Sequence, residues 1–212
     1  MERFDAVIFD LDGTLFDSFD EAWRAITTAA ERVPELRFIK NKRQFTALYS
    51  GNFYEQVCRH NRIPMRKSKA LERRLCRTFV DDYNPEFIIP MKDVLKKLRH
   101  SHTLVVLSSN FNHVIKRLLR KARISAFFDA VSGADDDPSK AARIKTLLRK
   151  FRISSSRAVC ITDTTGDIKE CRAAGVRSIG VTWGFHTAKQ LKRAGAIAIV
   201  RKPRQLLKVL HG

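Results

Sequence analysis

The stretch Ala6-Val-Ile-Phe-Asp10-Leu-Asp12-Gly-Thr-Leu-Phe-Asp17-Ser18 decides how the rest of the chain is read. An apolar run ends abruptly in two carboxylates one residue apart, followed at once by Gly13 and Thr14. Such a run reads as a buried parallel strand, and ligands gather at the carboxyl ends of those strands. Alternation along an extended strand sends Asp10 and Asp12 to the same side. Two acids placed there repel, and a divalent cation with oxygen ligands is the simplest offset. The competing reading is a strand that ends in an ordinary polar turn at Asp12-Gly13.

Outward from this stretch the hydrophobic period divides the chain. From Pro90 onward strands and helices alternate, with strands expected at Thr103 to Leu107, Phe128 to Ser132, Ala158 to Ile161, Ser178 to Val181 and Ala196 to Val200. This alternation predicts an α/β fold, a Rossmann-like parallel sheet with helices on both faces. Between Asp17 and Glu86 only helical spacing appears. Ser18 is expected to cap a helix that runs until Pro34, followed by helices near Lys42 to Tyr49, Phe53 to His60 and Arg66 to Tyr83. Residues 1–16 and 87–212 are thus expected to form the core domain and residues 17–86 an inserted all-helical cap. Phe19, Trp23, Phe45, Leu48, Tyr49, Phe53, Tyr54, Leu71, Leu75 and Phe79 are read as the insert's own packing core.

Polar residues follow three of the expected strands: Asp10 and Asp12, Ser108, and Asp163 with Asp167. Lys140 opens a helix after the acidic loop Asp135-Asp136-Asp137. Strand ends in an open parallel sheet share one edge, so these groups can meet around one ligand. Asp10, Asp163 and Asp167 offer hard oxygens suited to Mg²⁺, while Ser108 and Lys140 offer a donor and a positive charge for phosphoryl oxygens. Each has a plainer reading. Ser108 could be a turn residue, Lys140 is one of 41 basic residues, Asp163 and Asp167 could cap a helix, and the acidic loop could be solvated surface. Only the ordered set outweighs these.

Phe9-Asp10-Leu-Asp12-Gly-Thr-Leu-Phe-Asp17-Ser18 is similar to the first motif of the haloacid dehalogenase-like hydrolases, in the helical-cap phosphatase subgroup that includes phosphoglycolate phosphatase. The resemblance extends over nearly the whole chain. It implies a nucleophile at Asp10, a general acid and base at Asp12 whose carbonyl also ligates metal, and Mg²⁺ held with Asp163 and Asp167. It assigns Ser108 to the second motif and Lys140 to the third, and implies substrate binding by Asp10, Asp12, Ser108, Ser109 and Lys140. It also implies a mobile cap, hinged after Asp17 and again near Asn84 to Pro90. A carboxylate at position 12 suits an alcohol leaving group and points to a phosphatase or a phosphomutase. Two positions depart from the pattern: Thr162 stands where the family usually has Gly or Glu, and Met91 where a glycine often follows the proline. Thr162 either crowds the metal or merely adds a hydroxyl.

The 212 residues and 44% apolar content suit one good core with a small accessory domain. No apolar run approaches the roughly 20 residues that span a bilayer, so no membrane partner is expected. A first strand beginning by Phe4 leaves no room for a signal peptide, and four dispersed cysteines fit a reduced cytoplasmic setting. A monomer is expected. The net charge of +19 is uneven, with 12 Lys and Arg against two Glu from Arg37 to Arg77 and seven basic residues with no acid from His186 onward. Such surfaces attract phosphorylated small molecules or nucleic acid, or are simply solvated. The leading reading is a Mg²⁺-dependent phosphatase of a small phosphorylated metabolite acting through an aspartyl-phosphate. Beside it stand a sugar phosphomutase and, less favoured, a nucleic-acid-binding or polynucleotide-end phosphatase that uses the basic cap.

Overall fold

The computed structural model describes residues 4–68, 70, 71, 74, 83–137 and 139–211. Six parallel strands form the central sheet: β1 (Ala6–Phe9), β4 (Thr103–Leu107), β5 (Ala130–Ser132), β6 (Ala158–Thr162), β7 (Arg177–Val181) and β8 (Ala198–Val200), in the order β5-β4-β1-β6-β7-β8. The apolar runs are continuous because both faces are covered. Val7 and Phe9 pack on one face against helices α4 (Met91–Leu98), α5 (Asn112–Lys121) and α9 (Gln205–His211). Ala6 and Ile8 pack on the other against α6 (Lys140–Phe151) and α7 (Thr165–Ala173), while α8 (Ala188–Ala194) packs beside β7. The chain steps from β1 to β4 and β5 on one side and to β6, β7 and β8 on the other. The crevice outside the carboxyl ends at that reversal is where such sheets bind ligands.

β1 stops at Phe9, so strand alternation does not align the two acids as expected. Asp10 keeps the ladder through its N–H to the Ile161 carbonyl, at 2.9 Å. A tight turn then swings Asp12 back into the same crevice: the Leu15 and Phe16 N–H groups both donate to the Leu11 carbonyl, and Gly13 takes a φ of +67°. Ser18 stands at the N-cap position of the following helix as expected, but its side chain does not cap it, because its Oγ accepts the Gly13 N–H at 3.0 Å and closes this turn instead.

Two short strands, β2 (Phe16–Asp17) and β3 (Glu86–Phe87), pair antiparallel where the chain leaves for residues 18–85 and returns. Helices α1 (Phe19–Arg32), α2 (Lys42–Leu48) and α3 (Phe53–His60) follow β2, with Asn41 and Asn52 capping α2 and α3 through their side-chain oxygens. Most of the helix expected over 66–83 lies outside the described residues, as do Leu75 and Phe79. The insert's core is Ile26, Ala29, Leu36, Phe45, Leu48, Val57 and Leu71, completed by Phe185 from the loop after β7. Phe19, Trp23, Tyr49, Phe53 and Tyr54 are only half-buried at its edge. The acidic loop is exposed but ordered by hydrogen bonds: Asp135 accepts the Asn112 N–H, Asp136 accepts Ser132 Oγ, and Asp137 accepts the Ser139 N–H.

Gly13 has two reasons to lack a side chain. Its positive φ disfavours other residues, and a Cβ there would lie 2.1 Å from Asp163 Oδ2. Gly13→Ala should lower stability by roughly 1–3 kcal/mol in urea unfolding. A loss under about 0.5 kcal/mol, the usual range for surface changes, would mean that the turn relaxes freely.

Candidate active site

The Lys140 ammonium sits at the centre of the crevice, donating to Asp10 Oδ1 at 2.8 Å and to Asp167 Oδ2 at 2.7 Å. It reaches there because Ser139 caps α6 by accepting the Ala142 N–H, which makes Lys140 the first residue of the helix. Burial works against the ammonium, but Asp10 and Asp167 hold it charged well above its ordinary range. Burial raises the Asp10 carboxyl well above the usual range; Lys140 pulls it back, and Asp167 and Asp163 push it up further. Thr162 does not crowd this group: its hydroxyl donates to Asp167 Oδ2 at 3.0 Å and accepts the Thr164 N–H.

Asp163 is fully buried. Its Oδ2 accepts the Phe185 N–H at 2.7 Å, and its Oδ1 accepts the Thr14 hydroxyl at 3.3 Å. Burial is the main cause that lifts its carboxyl to about 7. Neither Asp163 nor Asp167 caps α7, since Thr164 Oγ1 accepts the Asp167 N–H. Asp167 lines the crevice, whereas Asp163 lies buried behind the cavity wall.

Asp12 accepts hydrogen bonds on both oxygens, from the Tyr83 hydroxyl on Oδ1 and from Asn110 Nδ2 on Oδ2, the latter at 2.6 Å. Burial raises its carboxyl against the pull of the Tyr83 bond. Ser108 Oγ accepts the Asn110 N–H at 3.0 Å, so its oxygen serves the turn and its proton is what it can offer a ligand. Ser109 lines the crevice and is exposed. Three neighbours were missed by sequence reading. Asn110 had a weak signal, as the third polar residue at the end of β4. Tyr83 had none, because its position depends on how the chain returns from the insert. Arg143, buried, donates from Nη1 to the carbonyls of Ser108 at 2.7 Å and Ser132 at 2.9 Å, which ties α6 to the ends of β4 and β5.

The helical insert closes over the crevice through backbone carbonyls at and beyond the C-terminal end of α2. Thr46 O lies 3.2 Å from His186 Nε2, Tyr49 O accepts the Gly166 N–H at 3.0 Å, and Ser50 O accepts Lys169 Nζ at 2.7 Å. His186 Nδ1 accepts the Thr165 N–H, so its proton rests on Nε2, and burial holds its pKa below the ordinary value. The cavity enclosed between insert and sheet measures about 150 Å³ and is lined by Asp10, Asp12, Ser108, Ser109, Lys140 and Asp167 at its base. Tyr49, Phe53 and Tyr54 also line it, so part of the aromatic stripe faces the cavity as well as packing.

Among the described residues no three His, Cys, Asp or Glu side chains are grouped to hold a metal ion by themselves. The donor chemistry nonetheless suits Mg²⁺, which takes one or two carboxylates and completes its shell with water and substrate oxygens. Asp10 and Asp163 are such carboxylates. Gly13 and Gly184 let their backbones close tightly on Asp163, since a Cβ at either would lie 2.1 or 2.2 Å from its Oδ2. The residues present fit the ion.

Known proteins match this chain along most of its length. A family model described as haloacid dehalogenase-like hydrolase matches residues 7–181. A phosphoglycolate phosphatase from Synechococcus elongatus is 26% identical over 208 residues, covering 97% of this chain and 96% of that protein. A phosphoglycolate phosphatase from Aliivibrio fischeri is 23% identical over 216 residues, covering 96% and 95%. The crystal structure of a predicted phosphatase from Clostridium acetobutylicum superposes with a TM-score of 0.84 at 22% identity, covering 99% of each chain.

Asp163 links the site to stability. Its folded pKa of about 7 lies above the roughly 3.9 of an unfolded Asp. Between those values the folded protein holds a proton that the unfolded chain has released, so metal-free stability should fall as pH rises from about 4 to about 7 and then level off. Mg²⁺ favours the ionised carboxylate, so millimolar Mg²⁺ should raise the melting temperature more at about pH 8 than at about pH 5. Equal gains at both pH values would mean that Asp163 takes no part in binding the ion.

Proposed function

The chain belongs to the haloacid dehalogenase-like hydrolase family, and from that premise we propose that it is a Mg²⁺-dependent phosphatase of a small phosphorylated substrate acting through an aspartyl-phosphate. The observation that carries this reading is the pair Asp10 and Asp12 at the end of β1, one carboxylate held by Lys140 and the other by Tyr83 and Asn110. The names of the phosphatase relatives support it.

In this reading an Asp10 oxygen attacks phosphorus in line, forming an oxygen–phosphorus bond as the bond to the substrate alcohol breaks. Asp12 delivers its proton to the leaving oxygen, then takes one from the water that attacks the aspartyl-phosphate, releasing phosphate and restoring Asp10. The burial that raises Asp12 favours its protonated form. Lys140 and Ser108 donate to phosphoryl oxygens as charge develops there, with Ser109 at the exposed rim. Asp10, the Asp12 carbonyl and Asp163 would hold the metal, with Asp167 free to join them only on parting from Lys140; Mg²⁺, when bound, would supply positive charge that favours the ionised Asp10. We further propose residues 1–16 and 87–212 as core and 17–86 as a cap that opens for substrate at the β2–β3 crossing.

Asp10→Asn should abolish turnover, because an amide is no useful nucleophile toward phosphorus. Asp12→Asn should slow an alkyl phosphate far more than p-nitrophenyl phosphate, whose leaving group needs little proton help. Equal losses in kcat/KM on both esters would remove Asp12 from the acid role.

A further inference from the structure

We propose that the substrate is a phosphomonoester whose alcohol part is uncharged and carries a flat apolar group about the size of one six-membered ring. This rests on the phosphatase reading and goes beyond it by naming the substrate class. Past the acids, the cavity wall is Ala25 and Ile26 from α1, Tyr49 and Phe53 from the insert, and Phe111 and Val114 from the start of α5. Among the described lining residues Lys140 is the one cation, and Asp10 and Asp167 already engage it. Glu170 adds another acid to the lining. Every described Lys and Arg between positions 37 and 77 is exposed, and none lines the cavity. The positive charge of these described residues therefore lies on the outer surface.

A carboxylate or second phosphate on the substrate would leave water for this cavity without a free cation among the described lining residues to replace its hydration, and Glu170 would repel it. An uncharged ring meets the opposite conditions. It displaces water from apolar surface and can pack on Tyr49 and Phe53 in offset or edge geometry. The whole cavity of about 150 Å³ must hold the phosphoryl group as well, so the apolar part it accepts is no larger than about one ring. The same wall argues against a phosphomutase, whose bisphosphate needs a second anion site. It also separates this chain from an enzyme built for a small carboxylate-bearing ester, despite the names of its relatives.

The test compares benzylphosphonate with phosphonoacetate, neither of which can be hydrolysed, by calorimetric titration of the whole protein with Mg²⁺. Benzylphosphonate should bind at least about tenfold more tightly, a difference of about 1.4 kcal/mol. Equal or tighter binding of phosphonoacetate, or no binding of either, overturns the proposal. Turnover is measured separately on benzyl phosphate and 2-phosphoglycolate, both alkyl esters with leaving groups of similar demand. A binding preference without turnover of any ester sinks the phosphatase reading while the cavity's preference stands. Turnover that favours 2-phosphoglycolate overturns the preference while the phosphatase reading stands. Ala25→Arg keeps helix propensity nearly unchanged and adds a cation to the wall. It should narrow the binding ratio or reverse it, and an unchanged ratio would mean that α1 does not face the ligand.

Discussion

The buried ammonium of Lys140 is the contact on which the crevice depends. Asp10, Asp163 and Asp167 converge where water is scarce, and their mutual repulsion would force protonation or separation without a cation among them. The cation stands at the first position of α6, the end of a helix that disfavours positive charge. Its two carboxylate partners, at 2.8 and 2.7 Å, offset that cost. Glu170 supports the same helix end by accepting the Ala141 N–H at 2.9 Å. One turn further on, Arg143 bonds to the carbonyls of Ser108 and Ser132. The register of α6 is therefore fastened to β4 and β5, and the ammonium position follows from it.

A second chain of contacts joins the Asp163 side of the site to the helical insert. Asp163 holds the loop after β7 through the Phe185 N–H and, from its own carbonyl, the His186 N–H. Phe185 enters the insert's core, stacking on Tyr49 with ring centroids 4.8 Å apart. His186 spans from the Thr165 N–H to the Thr46 carbonyl. Gly166 allows the insert to approach closely, since a Cβ there would lie 2.7 Å from Tyr49 O. The loop that positions a site carboxylate is thus also the seat of the insert. Most of these polar contacts use main-chain carbonyls, whose satisfaction does not depend on which side chains the insert carries.

The apolar runs with their helical interludes were enough to establish a parallel sheet covered on both faces, because only a strand buried on both sides tolerates uninterrupted Val, Ile and Leu. The positions of Asp10, Ser108, Lys140 and Asp163 at strand and helix ends were legible for the same reason. Helix boundaries at Phe53–His60 could be read because Asn52 and the flanking turn residues act locally. What depended on distant segments was not legible. Ser18 looked like a helix cap but closes the Gly13 turn, and Thr164 took the capping role that Asp163 and Asp167 might have been assigned. Tyr83 meets Asp12 across 71 residues, and Arg143 reaches two strand ends from a helix face that periodicity marks only as polar. The direction in which the basic segment faces was likewise a matter of packing, since charge counts carry no orientation. Local chemistry written in consecutive residues thus determined the elements and the acids at their ends, whereas the partners of those acids and the apolar residues above them were decided by tertiary structure, which brings together groups that no sequence spacing relates.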